Sequence, residues 1–329
     1  MPGITFDPDE NIPNLAGKCI LITGGKPSRI SCALSASNMD IGTNGLGAVT
    51  VTKLAQHNPD RIIFTGRDAK AAESVIRHCK TIAPDSSVSF VPCDLSNLNS
   101  VKTVAEQIIS ENARLNVLMC NAGIVGDLLR VSADGYENNF ATNYLGHALL
   151  TRKLMPLLEK TAEIHGSYGT DAARVVILAS PAFRAAPPGG IQFDTVRTTQ
   201  ADLGIGGMWK RYGQSKLANV LYARELTARY PSVLALSVSP GAVSTEMTNN
   251  LSWVNRALIY FSMWFDVRTP EEGALNQLWA ASVRGEDVQP GAYYEPVAHL
   301  SPLKTQYSED PKLQKKLWEW TETELEQWL

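Results

Sequence analysis

Tyr212 and Lys216 stand four residues apart in the run RYGQSKLAN, so on a helix both side chains project from one face. A phenol with its usual pKa near 10 exchanges protons poorly at neutral pH. An ammonium group close by, and an oxidised nicotinamide if one binds there, favours the phenolate. Lowering the phenol by three units takes about 4 kcal/mol of differential interaction, which one close cation in a dry site can supply. Ser180 ends an apolar run upstream, RVVILAS, where its hydroxyl can hold a substrate oxygen. The chemistry this set suits is proton exchange with an oxygen by Tyr212 while hydride moves at the adjoining carbon. The chain holds 10 tyrosines, so a Tyr–Lys pair at this spacing is a weak signal until its surroundings support it.

A hydride donor needs a seat, and the first apolar run, KCILIT, ends in Thr23-Gly24-Gly25. Glycines there let the chain turn sharply and let a pyrophosphate approach backbone N–H groups at a helix N-terminus. The expected continuation comes only at Thr43-Asn44-Gly45-Leu46-Gly47. Without residues 26–42 the text reads ILITGGTNGLG, a TGxxxGxG loop with no break. Two readings of 26–42 stand open. It is a surface loop, whose closure costs roughly 2.5 kcal/mol from the logarithmic length term. Or it is a retained intron and does not belong to the working protein, since seventeen codons is the length of a short intron. Asp40 close to phosphates would be unfavourable. Further on, the second apolar run ends in Gly66-Arg67 where an acid usually meets the ribose hydroxyls, and a guanidinium there suits a 2′-phosphate. NADP(H) is therefore expected over NAD(H). Asp94 is placed either to meet the adenine edge or to cap a helix, and Asn121-Ala122-Gly123 offers small residues where backbone must approach the cofactor.

The elements that hold these residues follow from periodicity. Apolar runs at 18–23, 61–65, 88–92, 115–120, 174–180 and 233–239 are short and nearly continuous in hydrophobicity, as strands buried on both faces of a parallel sheet should be. Amphipathic stretches of helical length lie between them, at 44–57, 69–81, 99–112, 135–160 and 209–229, with two more at 271–283 and 311–328. The alternation predicts a doubly wound α/β fold, a single domain over 1–329 with a core at 18–240 and a substrate cap at 241–310. A chain of 329 residues that is 44% hydrophobic and 19% charged can bury a full core without staples. Its net charge of −3 argues against nucleic-acid binding. The five cysteines have no CxxC spacing and read as reduced packing residues in a cytoplasmic protein. The five histidines are scattered without metal-ligand spacing. The most apolar stretch, 253–265, is too short to span a bilayer and contains Asn255 and Arg256.

Taken together, TGG…TNGLG, CNAG, ATNYLGH, ILAS, YGQSK and SPGAVST occur in an order that resembles the short-chain dehydrogenase/reductase family across residues 18–248. The YGQSKLANVL run and the long stretch from Ser180 to Tyr212 are most similar to its retinol-dehydrogenase and protochlorophyllide-reductase branch. The ending, with TPEEGA, GAYYEP and DPKLQKKLWEW, resembles fungal members, many of which act in secondary metabolism. The resemblance implies a Rossmann fold and carbonyl–alcohol interconversion. It implies that Ser180 and Tyr212 are catalytic, that Lys216 also bonds the nicotinamide ribose, and that Asn143 supports a water-linked proton relay. It places Pro240, Gly241, Val243 and Thr245 against the nicotinamide amide. Phe183, Trp209, Met247, Trp253, Tyr260, Phe261, Met263 and Trp264 read either as an apolar mouth, for which a bulky lipophilic small molecule is the expected substrate, or as core, with Tyr260–Phe265 also able to rest on a membrane surface or a dimer partner. Family members are often homo-oligomers. Two alternatives are a scaffold impaired by the interrupted glycine loop, and an epimerase or dehydratase of the related long-chain branch; TGGTNGLG in place of GxxGxxG counts against the latter.

Overall fold

The computed structural model describes residues 4–24, 45–126, 128–165, 169, 172–243 and 267–329. Six parallel strands form most of the sheet: β1 (Cys19–Thr23), β2 (Arg61–Gly66), β3 (Val88–Pro92), β4 (Val117–Cys120), β5 (Arg174–Leu178) and β6 (Leu234–Val238). A two-stranded pair is made by β7 (Ala242–Val243) and β8 (Val267–Arg268), and the main sheet continues with β9 (Tyr293–Glu295) and β10 (His299–Leu300). Its order is β10-β9-β6-β5-β4-β1-β2-β3, with only β10 antiparallel to its neighbour. The doubly wound parallel sheet expected from the sequence is therefore present.

The helices are α1 (Pro8–Asn11), α2 (Leu46–Ala55), α3 (Ala69–Ile82), α4 (Leu98–Glu111), α5 (Asn138–Phe140), α6 (Gly146–His165), α7 (Gly207–Arg229), α8 (Pro270–Ser282) and α9 (Pro311–Leu325). Alternation along each strand sends its side chains to two cores. In β1, Cys19 and Leu21 join α4, α6, α7 and α9 on one face, while Ile20 and Ile22 join α2, α3 and α8 on the other. Every residue of β1, β4, β5 and β6 is buried, which is why those runs lack a polar stripe.

Helix starts follow local chemistry. Asp68 accepts from Ala71 N to cap α3, Asn97 accepts from Ser100 N to cap α4, and Thr269 with Glu272 makes a reciprocal capping box on α8. Helix α9 is strapped down by the Arg152–Glu322 ion pair and by Trp318 stacked on Tyr222 at 5.6 Å.

The described part of 241–310 departs from the expected cap. Strands β9 and β10 extend the sheet, and α8 packs beside α2 as part of the helical layer. Residues 244–266, which contain Thr245 and most of the expected apolar mouth, lie outside the described residues. So do Thr43, Asn44 and the 26–42 stretch. The four described cysteines, Cys19, Cys79, Cys93 and Cys120, are buried and unpaired, matching the packing role expected of them. Among the described residues no helix is long and apolar enough to cross a membrane, and no His, Cys, Asp and Glu cluster could hold a metal.

Candidate active site

The catalytic end of the site is built on one helix. Tyr212 and Lys216 lie one turn apart on α7, 8% and 4% exposed, with the Lys216 Nζ 5.6 Å from the centre of the phenol ring. Nζ donates to the Leu178 carbonyl at 2.9 Å, and Asn219 Nδ2 donates to the same oxygen at 2.9 Å. Lys216 is thus tied to the end of β5, two residues before Ser180. Ser180 lies beside the phenol, and its Oγ accepts from Ala182 N to start a short 3-10 turn at 181–185. The sequence spacing therefore brings Ser180, Tyr212 and Lys216 together.

Electrostatics modify one expectation. Burial pushes the Tyr212 phenol up to about 12, with Ser180 acting the other way; the lysine does not bring it down. The same burial pulls Lys216 down to about 8. Desolvation outweighs the cation because both groups sit in the same dry pocket and Nζ is turned toward a backbone carbonyl.

Asn143 is fully buried in a π-helical turn at 141–145. Its Oδ1 accepts from Ile124 N at 2.7 Å, and its Nδ2 donates to Ile124 O at 2.9 Å and Ser215 Oγ at 3.0 Å. The side chain is thereby committed to joining the loop after β4 to α7. Its carbonyl oxygen lies 3.0 Å from His147 Nδ1. Thr23 fixes the state of that imidazole. The Thr23 Oγ1 accepts from Asn121 N and Ala122 N, both at 3.0 Å, so its own proton goes out to His147 Nε2 at 2.8 Å rather than to Met119 O at 3.4 Å. Nε2 accepts, Nδ1 carries the hydrogen, and His147 donates to Asn143. Burial, together with Lys216, lowers this histidine to about 4.

The other end of the site is made of backbone. Gly24 adopts φ +82° and lies so close to Ala122 that a Cβ on it would come within 2.8 Å of the Ala122 Cα. A Cβ on Gly47 would sit 2.3 Å from the Gly24 carbonyl oxygen. The two half-loops that the sequence separates are therefore in contact. Gly45 is the N-cap of α2 and makes no side-chain cap bond, so the first N–H groups of the helix have no side-chain partner at the cap. Asn121 Nδ2 donates to Thr23 O at 2.6 Å and Gly24 O at 3.3 Å. Its side chain pins the loop, a use the sequence reading, which looked to its backbone, did not foresee. Leu46 and Val243 both pack against Gly273 of α8, where any Cβ would overlap them.

A cavity of about 320 Å³ joins the two ends. It runs from Arg67, Asp68 and Asp94 past Gly24, Gly45, Leu46 and Gly47 to Asn121, Tyr212, Lys216 and Pro240. Arg67 is exposed at its edge. Asp94 lines the cavity but does not cap α4, which Asn97 does; its Oδ1 accepts from Ser96 N and Ser96 Oγ. Phe183, expected at the substrate mouth, is 1% exposed and packs edge-on against Tyr293, because the 3-10 turn after Ser180 rotates it into the core. Trp209 does stand by the site, 6.3 Å from the Tyr212 ring. Sequence reasoning passed over Thr23, His147 and Gln277. The position of His147 in ATNYLGH, one turn after Asn143, was a usable signal; Gln277 had none.

Comparison with known proteins gives the family. The short chain dehydrogenase family matches residues 41–191. The short-chain dehydrogenase/reductase drtF of Aspergillus calidoustus is 31% identical over 327 residues, covering 95% of this chain and 95% of its own. Polyprenol dehydrogenase of Homo sapiens is 31% identical, covering 84% of this chain and 81% of its own. Among solved structures, an uncharacterised protein from Mycobacterium Paratuberculosis superposes with a TM-score of 0.66 at 25% identity, over 99% of this chain and 98% of its own. An NADP complex of Pseudomonas aeruginosa RhlG, at 21% identity and a TM-score of 0.62 over 87% and 96%, shares the fold. The chain belongs to the short-chain dehydrogenase/reductase family of oxidoreductases.

Proposed function

We propose that this protein is an NADP(H)-dependent oxidoreductase that interconverts a carbonyl and an alcohol on a bulky lipophilic small molecule. The observation that carries the reading is the single cavity with Gly24 against Gly47 at one end and Tyr212 with Lys216 at the other. The described residues fit a dinucleotide: Gly24, Gly45 and Gly47 line the cavity with backbone, the start of α2 borders it, and Arg67 stands exposed at the far edge for a 2′-phosphate. The bound dinucleotide supplies or accepts hydride at its nicotinamide ring.

The chain's own residues handle the oxygen. A phenol near 12 is protonated at neutral pH, so Tyr212 is set to give a proton to a carbonyl oxygen that Ser180 holds. With NADPH in excess over NADP, reduction is the expected direction. Lys216, near 8, can pass a proton on at physiological pH and anchors the nicotinamide ribose. The Asn143 carbonyl is the group left for a water-linked relay, since its side chain is engaged elsewhere. Asp94 and Asn121 are assigned to the adenine and pyrophosphate stretches and Val243 to the nicotinamide side, while Thr43, Asn44 and Thr245 are assigned to the glycine loop and the nicotinamide side from their place in the sequence motifs alone.

A lipophilic substrate is supported by Trp209 beside Tyr212 and by a relative named polyprenol dehydrogenase. A place in secondary metabolism rests on the resemblance to fungal members, and a cytoplasmic location on the reduced cysteines. Incubating the chain with NADPH and a panel of lipophilic ketones, and following loss of nicotinamide absorbance, tests the reading. Consumption is the expected result; no consumption with any ketone, and none with the matching alcohols and NADP, would refute it.

One observation favours a second reading. The family match begins at residue 41, although β1 at 19–23 belongs to the same sheet. The 26–42 stretch thus interrupts the family's pattern, and on this second reading a protein translated with it would be a scaffold that cannot seat the pyrophosphate, which the contact between Gly24 and Gly47 counts against. Transcripts that lack the corresponding codons would identify it as a retained intron.

A further inference from the structure

We infer that Gln277, on α8, is a positioning residue that holds the two glycine half-loops at cofactor-binding distance. The inference rests on the dinucleotide reading of the cavity. Gln277 is 1% exposed, and its amide Nε2 donates to Asn121 Oδ1 at 3.0 Å and to Thr50 Oγ1. The Leu46 carbonyl lies 3.5 Å from the same nitrogen. Asn121 in turn donates to Thr23 O and Gly24 O. One amide on a distant helix therefore links the end of β1, through Asn121, to the first turn of α2.

The amide has only one workable orientation. Asn121 Oδ1 and Leu46 O can only accept, and Thr50 gives its own hydroxyl proton to Leu46 O at 2.7 Å, so it too must accept. Nitrogen must face all three. The cost is that Gln277 Oε1 is left buried with no hydrogen-bond partner among the described residues. A buried amide with one atom unsatisfied is a poor device for stability alone. It is well suited to fixing geometry, because both of its good donors go to groups that touch the glycine loop. Gly273, one turn earlier on α8, presses on Leu46 with no space for a side chain, so the helix is seated closely enough for the amide to set the distance.

The test is Gln277→Met, which keeps length and removes both donors, with Asn121→Ala and the double variant. NADPH affinity by fluorescence titration should fall about tenfold in Gln277→Met, because part of the binding energy must then be used to order the two half-loops. Turnover at saturating NADPH should change much less. The double variant should bind no more weakly than the weaker single one, since both substitutions break one chain of bonds. Independently of any ligand, hydrogen exchange of α2 amides should quicken in Gln277→Met while α4 stays at the parent rate. NADPH affinity equal to the parent's, additive losses in the double variant, or exchange quickened evenly throughout would overturn the inference. If the parent itself does not bind NADPH, the functional reading fails and the exchange measurement still decides the role of Gln277. Should Gln277→Met not fold, Gln277→Asn, which keeps the amide but falls short of Asn121, is expected to show the same pattern.

Discussion

The two ends of the cavity are built by different means. At the end proposed to be catalytic, the groups suited to chemistry are side chains, and one helix carries the central pair: Tyr212 and Lys216 on α7, with Ser180 brought up by the strand beside it. At the phosphate end the useful feature is missing side chains. Gly24 and Gly47 come from opposite sides of the interruption, meet backbone to backbone, and are held by Asn121 and Gln277 from elsewhere in the chain. The first arrangement depends on spacing within one element. The second depends on the sheet and the helical layer placing β1 and α2 side by side, and so needs no particular number of residues between them. His147 connects the ends, accepting from Thr23 and donating to Asn143.

Substitutions can break this contrast at either end. Tyr212→Phe removes only the hydroxyl, and kcat should fall by about 10²- to 10⁴-fold, the usual worth of a positioned acid–base group. NADPH affinity should stay near the parent value in the same titration. A variant that loses affinity along with turnover would show that the ends are not separable.

The connection through His147 should appear as acid sensitivity. Its pKa is near 4 in the folded protein and about 6.5 when unfolded, so between those values the unfolded chain binds the extra proton. Stability contributed by the neutral ring is complete above about pH 6.5 and is lost as pH falls toward 4, amounting to about 3 kcal/mol. Urea unfolding across that range should show the loss, and His147→Phe should flatten it.

Gly47→Ala tests the backbone end. The added methyl would meet the Gly24 carbonyl and Asn121 Nδ2 at 2.3 and 2.7 Å, so overpacking should cost roughly 1–3 kcal/mol of stability. NADPH binding should weaken, whereas the pH dependence of any remaining turnover should match the parent's. Arg67→Ala sharpens the picture at the far edge. It should weaken NADPH about tenfold, the scale of one charge-assisted hydrogen bond, and leave NADH almost unchanged. Equal effects on both dinucleotides would remove Arg67 from the 2′-phosphate.

The same contrast explains what could be read from the sequence. The six parallel strands and the long helices were legible to within a few residues, because buried parallel strands and amphipathic helices write their burial into periodicity, whereas β7 to β10, α1 and the π-helical turn before α6 were not expected. The expected strand at 61–65 is β2 at Arg61–Gly66, and the expected helix at 69–81 is α3 at Ala69–Ile82. Tyr212, Lys216 and Ser180 were legible because spacing along one helix and one strand end fixes their geometry. The roles of Gln277 and the Asn121 side chain were not, since their partners lie far away in sequence and an amide carries no pattern. The direction of the Tyr212 shift was missed for a related reason. The sequence shows a cation four residues away, but not how dry the pocket is or that Nζ turns to Leu178. Phe183 was misplaced because nothing in the sequence announced the 3-10 turn that carries its ring inward.

The central claim is that Gly24 and the first turn of α2 form one pyrophosphate seat whatever joins them. Titrating NADPH into the 329-residue chain and into the same chain lacking 26–42, with fluorescence as the signal, tests it directly. The account predicts saturable binding by both, with affinities within about tenfold (about 1.4 kcal/mol), because Gly24 and Gly47 are brought into contact by the sheet and the helical layer rather than by the residues that join them. A full-length chain that leaves NADPH unbound while correctly folded would contradict it.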